Sequence, residues 1–372
     1  MKSKIKLQYI TYQTFPSRKA NTLQTIGNLD YLSKNGVDVS LLFPLREVQS
    51  TADESTLKSI YGYSSNINLI GTTHKLPFGK INKFVKLSFI ISHYMWSRKI
   101  VLSINRNPNQ ATAYFTRSEW VFYYLSKYNF SVIYECHQLS KIKKMIIPIS
   151  IKKPLSKIIF LNNELKIDAN IKQKYESKTT VLQNGVDEKL FKYDVPKDKK
   201  KVIFSGNLSR FNSERNLDFI LDAFLDTRLN DYSLNIVGAS ESEYNSINKT
   251  IKENGLSNKV KLQKWVDRKK SILEIQKSSI GVLINSDNNL HSIKYTSPLK
   301  YFEYLYAGLS IVAVNFKAHK ILPYSESINF FDIDNKNQFI EAILKASVNY
   351  DIDKNRLTLD FRSKKIIKFL AN

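Results

Sequence analysis

Cysteine is almost absent. Of 372 residues only Cys136 carries a thiol, which excludes an internal disulfide framework and any cysteine-rich zinc site and fits a reducing compartment, with cytoplasm as the expectation. Long apolar runs are missing too. The most apolar stretch, residues 84–104, is interrupted by Lys86, His93, Arg98 and Lys99; it falls short of the roughly 20 apolar residues of a spanning helix and reads as an amphipathic helix. No signal-peptide core follows the charged residues 1–6, because residues 12–21 are already polar, so export is not expected. Neither a Gly-x-Ser-x-Gly element nor a Walker-type loop occurs, which removes hydrolase and P-loop readings. His74, His93, His291 and His319 lack the spacing of zinc ligands, so no metal is expected.

Acidic residues are in short supply: 33 Asp and Glu against 57 Lys and Arg leave a formal charge of +24. A field of that size predicts an anionic partner. A phosphorylated substrate, an anionic membrane surface and nucleic acid compete for that place, as does a plain compositional bias toward Lys, Asn, Ile and Tyr. Hydrophobic residues make up 42% of the chain in short recurring runs, which suits a folded globular protein. The length exceeds one ordinary core and points to two domains.

The order of the runs agrees. Residues 5–10 read as a strand, 20–33 as a helix and 37–43 as a second strand, with Gly36 stopping the helix and Pro44 ending the strand. Strand 112–115, helix 118–127 and strand 131–134, closing at Glu135, Cys136 and His137, continue the alternation; strands 157–161 and 180–182 follow. Residues 194–201, almost all charged, read as a linker. Beyond them strand and helix alternate again through 202–205, 217–224, 233–237, 260–262, 279–284, 299–307 and 310–314. Two parallel α/β sheets place strand carboxyl ends around a crevice, where ligands bind in such folds.

The segment from Tyr295 to Ala313 is the most informative. Ser297 is suited to cap a helix and Pro298 to its first turn, so the helix starts at 297 or 298. Its first N–H groups, about Pro298 and Leu299, form an anion site fit for a diphosphate, with Lys300 adding charge. Glu303 lies within two turns, in reach of ribose hydroxyls, and Gly308 ends the helix.

This segment resembles the signature of the large retaining glycosyltransferase family four, a Ser-Pro-x-Lys-x-x-Glu-Tyr helix followed by a Gly-x-x-Val-Val-Ala strand. Tyr295 stands where many members carry a first glutamate. Val181-Leu-Gln-Asn-Gly185-Val-Asp187, followed by Phe191, resembles the family's turn at the domain junction, and Ile203-Phe-Ser-Gly206 resembles the first strand and glycine of its nucleotide-binding domain. Arg215-Asn216 stands in place of a Lys-Gly pair. Residues 18–22, Tyr114-Phe-Thr-Arg117-Ser118, Tyr134-Glu135-Cys-His137 and the terminal Asp360-Phe361-Arg362 stretch are further similar elements.

The resemblance implies a GT-B fold, two Rossmann-like parallel-sheet domains facing a central cleft: residues 1–183 on the acceptor side, 184–355 binding the nucleotide-sugar, and a helix within 356–372 crossing back to the first domain. It implies sugar transfer with retention, from a nucleotide-sugar to a glycan or lipid-linked acceptor, in polysaccharide synthesis. No cofactor and no metal is expected. Gly206, Arg210 or Arg215, Ser297, Pro298, Leu299, Lys300 and Glu303 are the donor-site residues, with Tyr295 in the sugar pocket; Asn21, Arg117 and Glu135 lie on the acceptor side, and His137 is the catalytic candidate. Blander readings stand beside these: Glu303 as an exposed helical carboxylate, His137 as a structural histidine, the two arginines as loop charges. The expected setting is cytoplasmic, with residues 75–99 and 141–153 available to hold the inner face of the plasma membrane. No nucleic-acid partner is expected, for want of a recognised binding module. The alternatives are a nucleotide-sugar epimerase of the same architecture and a basic nucleic-acid-binding protein.

Overall fold

The structure, a computed structural model, describes residues 5–17, 19–74, 85–108, 111–210, 213–346 and 351–371. Arg18 and residues 75–84, named in the sequence reading, lie outside them. The chain forms two compact units, Met1–Gln183 with Leu359–Asn372, and Asn184–Thr358.

In the first unit the strands are β1 (Lys6–Ile10), β2 (Asp38–Leu45), β3 (Ile67–Thr73), β4 (Ala113–Thr116), β5 (Val132–Cys136), β6 (Ser156–Phe160) and β7 (Thr179–Val181). They pair in parallel in the order β3-β2-β1-β4-β5-β6-β7. The helices are α1 (Ala20–Lys34), α2 (Glu54–Tyr61), α3 (Val85–Arg106), α4 (Glu119–Lys127), α5 (Lys141–Ser150) and α6 (Asn163–Asp168). A parallel sheet covered on both faces demands strands that are apolar throughout, and β4 and β5 are buried along their whole length. Their helices start where small polar side chains accept a backbone N–H: Ser118 from Val121 and Ser140 from Lys143. The strand order turns back on itself between β1 and β4.

The second unit has β8 (Lys201–Ser205), a two-stranded hairpin of β9 (Ser209–Arg210) and β10 (Ser213–Glu214), α7 (Leu217–Ala223), β11 (Ser233–Ala239), α8 (Glu241–Glu253), β12 (Val260–Lys264), α9 (Arg268–Gln276), β13 (Ile280–Leu283), α10 (Leu299–Tyr306), β14 (Ser310–Val314), α11 (Lys317–Lys320), β15 (Ile328–Phe331) and α12 (Lys336–Leu344). Its parallel sheet runs β12-β11-β8-β13-β14-β15 and turns back between β8 and β13. Residues 194–201 are not a linker. They lie in this unit: Lys197 Nζ donates to the carbonyls of Ala307 and Gly308, each at 2.6 Å, and Lys201 already opens β8. Of the lysines that suggested a solvated connection, Lys197 instead caps the end of α10.

The last helix, α13 (Leu359–Ala371), belongs to the first unit. Ile366 enters the core beside Leu29 and Leu32. Asn35 Nδ2 donates to Asp360 Oδ1 (2.9 Å) and Ser363 Oγ (2.8 Å), and Lys157 Nζ to the Phe369 carbonyl (2.9 Å). Among the described residues no helix is long and apolar enough to cross a membrane.

Candidate functional site

In the second unit the polar residues gather at the carboxyl edge of the sheet, where the strand order reverses. β8 runs out at Ser205, and Gly206 follows at φ 117° with its N–H donating to the Val237 carbonyl (2.9 Å). Opposite it Gly238, at φ 121°, approaches so closely that a Cβ there would fall 2.6 Å from the Gly206 oxygen. At Gly238 there is no room for a side chain; at Gly206 the space is open, and it is the positive φ that favours glycine. The loop beyond returns to a buried Arg215, whose N–H donates to the Leu208 carbonyl (3.0 Å). Asn216 stands at φ 50° at the start of α7, a left-handed position that explains why a glycine-like residue is wanted there. The side chain of Arg210 lies outside the described residues.

The helix expected from Ser297 or Pro298 begins one step later. Pro298 occupies the N-cap, extended at ψ 128°, and Leu299 is the first helical residue. Ser297 therefore does not cap: the residue before a proline is held extended, its Oγ is buried with no hydrogen-bond partner among the described residues, and its carbonyl accepts from Asn184 Nδ2 at 2.6 Å. The first N–H groups of α10 receive no side-chain cap. Lys300 is buried with its ammonium 3.8 Å from the Phe204 ring centroid, so it is held against the end of β8. One turn on, Tyr304 Oη accepts the Ser205 N–H at 2.9 Å, and its ring lies over Gly281, where a Cβ would fall 2.6 Å from the Tyr304 Cγ.

Glu303 is not an exposed helical carboxylate. It is 2% exposed and forms an ion pair with Arg268, the first residue of α9. Tyr304 lies within the electrostatic reach of both Glu303 and Arg215, and burial, above all, pushes its phenol well up. Gly206, Arg215, Lys300 and Glu303 thus converge through β8 and α10. Tyr295 closes a π-helical turn, His291–Tyr295, and is buried; short π-helical pieces frequently occur at functional sites. Uncapped helix N–H groups beside buried cations, at a strand-order reversal, make a receptor for an anionic ligand.

In the first unit a second cluster forms at the carboxyl ends of β4 and β5. Glu135 lies inside β5, not beyond it as the sequence reading had it, and is 1% exposed. One carboxylate oxygen, Oε2, accepts from Arg117 Nε at 2.6 Å and lies 3.1 Å from His137 Nε2; the other, Oε1, pairs with Arg362 of α13. Arg362 also donates to the Gln183 carbonyl (3.1 Å), and Arg117 Nη1 to the Asn21 carbonyl (3.4 Å). Asn21 offers this backbone oxygen while its own side chain stays exposed. Burial alone would raise the Glu135 carboxyl, but the guanidiniums of Arg117 and Arg362 hold it well below the usual range. Burial and then Arg117 push the His137 imidazole down to about 4, against the pull of Glu135. His137 is therefore neutral at neutral pH, with one ring nitrogen a donor and the other an acceptor.

Asn21, Arg117, Glu135 and His137 are brought together in the first unit; Gly206, Arg215, Ser297 to Lys300 and Glu303 in the second. Three contributors went unnoticed in the sequence. Arg268 has no local signal tying it to Glu303, 35 residues away. Gly238 is readable only as a glycine closing an apolar strand. Arg362 stood in the terminal motif without a role.

Residues 199–349 match the family of glycosyl transferases group 1, less than half of the chain. No curated protein sequence matches it. Among solved structures it is similar to the sucrose-phosphate synthase of Thermosynechococcus elongatus (14% identity, TM-score 0.66, 99% of this chain and 95% of that one). It is similar also to Anabaena HepE in complex with UDP and glucose (13%, TM-score 0.64, 99% of both chains). A third is an alpha-glucosyltransferase in complex with UDP-glucose and DNA containing an abasic site (13%, TM-score 0.55, 99% and 95%). That complex overturns the expectation that nucleic acid has no place among the partners: a protein of this architecture holds DNA beside a nucleotide-sugar, so the lack of a separate binding module excludes nothing. At these identities the likeness establishes architecture, and the architecture is the GT-B fold.

Proposed function

We propose that the protein is a glycosyltransferase, working in the cytoplasm, that takes a sugar from a nucleotide-sugar and passes it, with retention, to a glycan or lipid-linked acceptor in polysaccharide synthesis. The observation that carries this reading is the α10 end of the second unit. There uncapped N–H groups, the buried Lys300 and the buried Arg215 meet a nucleotide diphosphate's charge, and Glu303, held by Arg268, offers a carboxylate to ribose hydroxyls. The match of this same unit to glycosyl transferases group 1 supports it. So does the binding of UDP or UDP-glucose by similar structures. The first unit would take the acceptor. His137, neutral and fixed beside Glu135, would contribute a hydrogen bond near the reacting sugar. Stabilisation of the departing diphosphate by fixed positive groups is the larger part of such catalysis and asks for no protein nucleophile.

The test is a thermal-shift screen against UDP, GDP, ADP and their sugar conjugates. One nucleotide at about a hundred times its Kd stabilises the folded protein by about 2.7 kcal/mol. That response is expected to vanish in Glu303→Ala and to weaken in Glu303→Gln. No response to any nucleotide refutes the proposal, and conversion of donor alone into an epimeric product reassigns the enzyme as an epimerase.

A further inference from the structure

Helix α3 has two apolar sides where one suffices. Trp96, Val101 and Ile104 are buried, as the core requires. On the other side Leu87, Ile90, Ile91 and Met95 stand in solvent at helical spacing, Ile91 and Met95 at 48% and 49% exposure. The exposed stripe continues across the neighbouring helices. Tyr94 packs edge-on against Trp120 of α4 at 4.9 Å, and Tyr94, Arg98, Trp120, Tyr124, Met145 and Ile149 line one concavity of about 470 Å³ spanning α3, α4 and α5. On α5 Met145 and Ile149 are exposed in turn. An apolar face of this continuity on a soluble surface marks an interaction site.

Its charge says what kind. Within α3, α4 and α5 the acidic residues number one, Glu119, whereas Lys86, Arg98, Lys99, Arg106, Lys127, Lys141, Lys143 and Lys144 are all basic. Arg98, Lys99, Lys127, Lys141 and Lys144 are exposed. Aliphatic side chains beside exposed cations, with tyrosine and tryptophan between them, match a bilayer surface: the cations meet anionic headgroups and the aliphatic groups enter the acyl boundary. Nucleic acid would use the cations but has no place for Leu87, Ile90, Ile91 and Met95. A spanning role does not fit α3: its 22 residues are long enough, but Lys86, Arg98, Lys99 and Arg106 leave it too polar to cross a bilayer.

We propose that the outer face of α3, α4 and α5 docks the first unit onto an anionic lipid bilayer, with α3 lying flat in the headgroup region. The face stands apart from the nucleotide-sugar reading of the second unit and holds whether or not that reading does.

Vesicle co-sedimentation of the full chain tests it, comparing phosphatidylcholine alone with a mixture containing phosphatidylglycerol, at physiological salt. Binding to the mixed vesicles alone is expected. Arg98→Glu with Lys144→Glu should weaken it at least 25-fold, taking about fivefold for each basic residue lost near an anionic surface. Ile91→Glu with Met95→Glu should weaken it at least tenfold while leaving the circular dichroism unchanged. Lys252→Glu, on the exposed face of α8, should leave binding intact. Absence of pelleting, equal pelleting with both vesicles, or indifference to either pair of substitutions overturns the proposal. Binding of duplex DNA without vesicle binding, lost only in the charge-reversed pair, overturns it in favour of nucleic acid.

Discussion

Replacing Arg362 by methionine should cost the first unit a large part of its stability. The guanidinium is 1% exposed; it pairs with Glu135 Oε1 and donates to the carbonyls of Leu182 (3.4 Å) and Gln183 (3.1 Å). Methionine fills much of the same space but leaves a buried carboxylate oxygen without its cation and two carbonyls without their donor. Breaking one side of a buried ion pair costs about 3–5 kcal/mol, which for a unit of this size lowers the unfolding midpoint by about 10 °C. Calorimetry of the Arg362→Met chain should show that fall in one transition. The double variant with Glu135→Gln should recover nothing, because Arg117, still buried, then loses the carboxylate that had paired it. A second readout separates the ion pair from packing. The His137 imidazole, pushed down to about 4 by burial, then by Arg117 and in part by Arg362, should titrate at higher pH once Arg362 is removed, as its ring proton signals report. A loss below about 1 kcal/mol with an unmoved His137 titration would refute this account of the cluster.

Acid should destabilise the fold before its carboxylates protonate. His93, His137 and His319 are each pushed down to about 4, first of all by burial. Between about pH 6.5 and 4 the unfolded chain therefore takes up protons that the folded chain refuses, and stability falls with pH by up to about 3 kcal/mol per histidine. Urea midpoints at pH 7.5, 5.5 and 4.5 should descend, and a flat profile would contradict it. Gly281→Ala should drive the Tyr304 ring from its seat and lengthen the Ser205 N–H contact, costing about 1–3 kcal/mol by overpacking; an unchanged denaturation midpoint would count against it.

Much of the architecture was legible because buried parallel strands must be apolar end to end. Runs such as 202–205 and 310–314 fall within one residue of β8 and β14 for that reason. The hairpin of β9 and β10 and the polar helix α8 were missed, since two-residue strands carry no periodicity and α8 buries only Ile251. At the site, the Ser-Pro-Leu-Lys helix was readable from its local chemistry. Its partners were not: Arg268 reaches Glu303 across 35 residues and Arg362 reaches Glu135 across 227, and no spacing rule covers such distances. The charged run 194–201 misled because a lysine that closes a helix end, Lys197, looks in one dimension like a lysine in solvent.

Helix α13 also dictates an order of completion during synthesis. Chains fold domain by domain from the amino end as they are made, yet here the first unit waits for residues 359–371, which follow the whole of the second unit. Until they emerge, Glu135 has Arg117 but no Arg362, and Leu29 and Leu32 lack Ile366 above them. The part translated first is the part finished last, and the nascent protein holds a complete second unit before it has a complete first one.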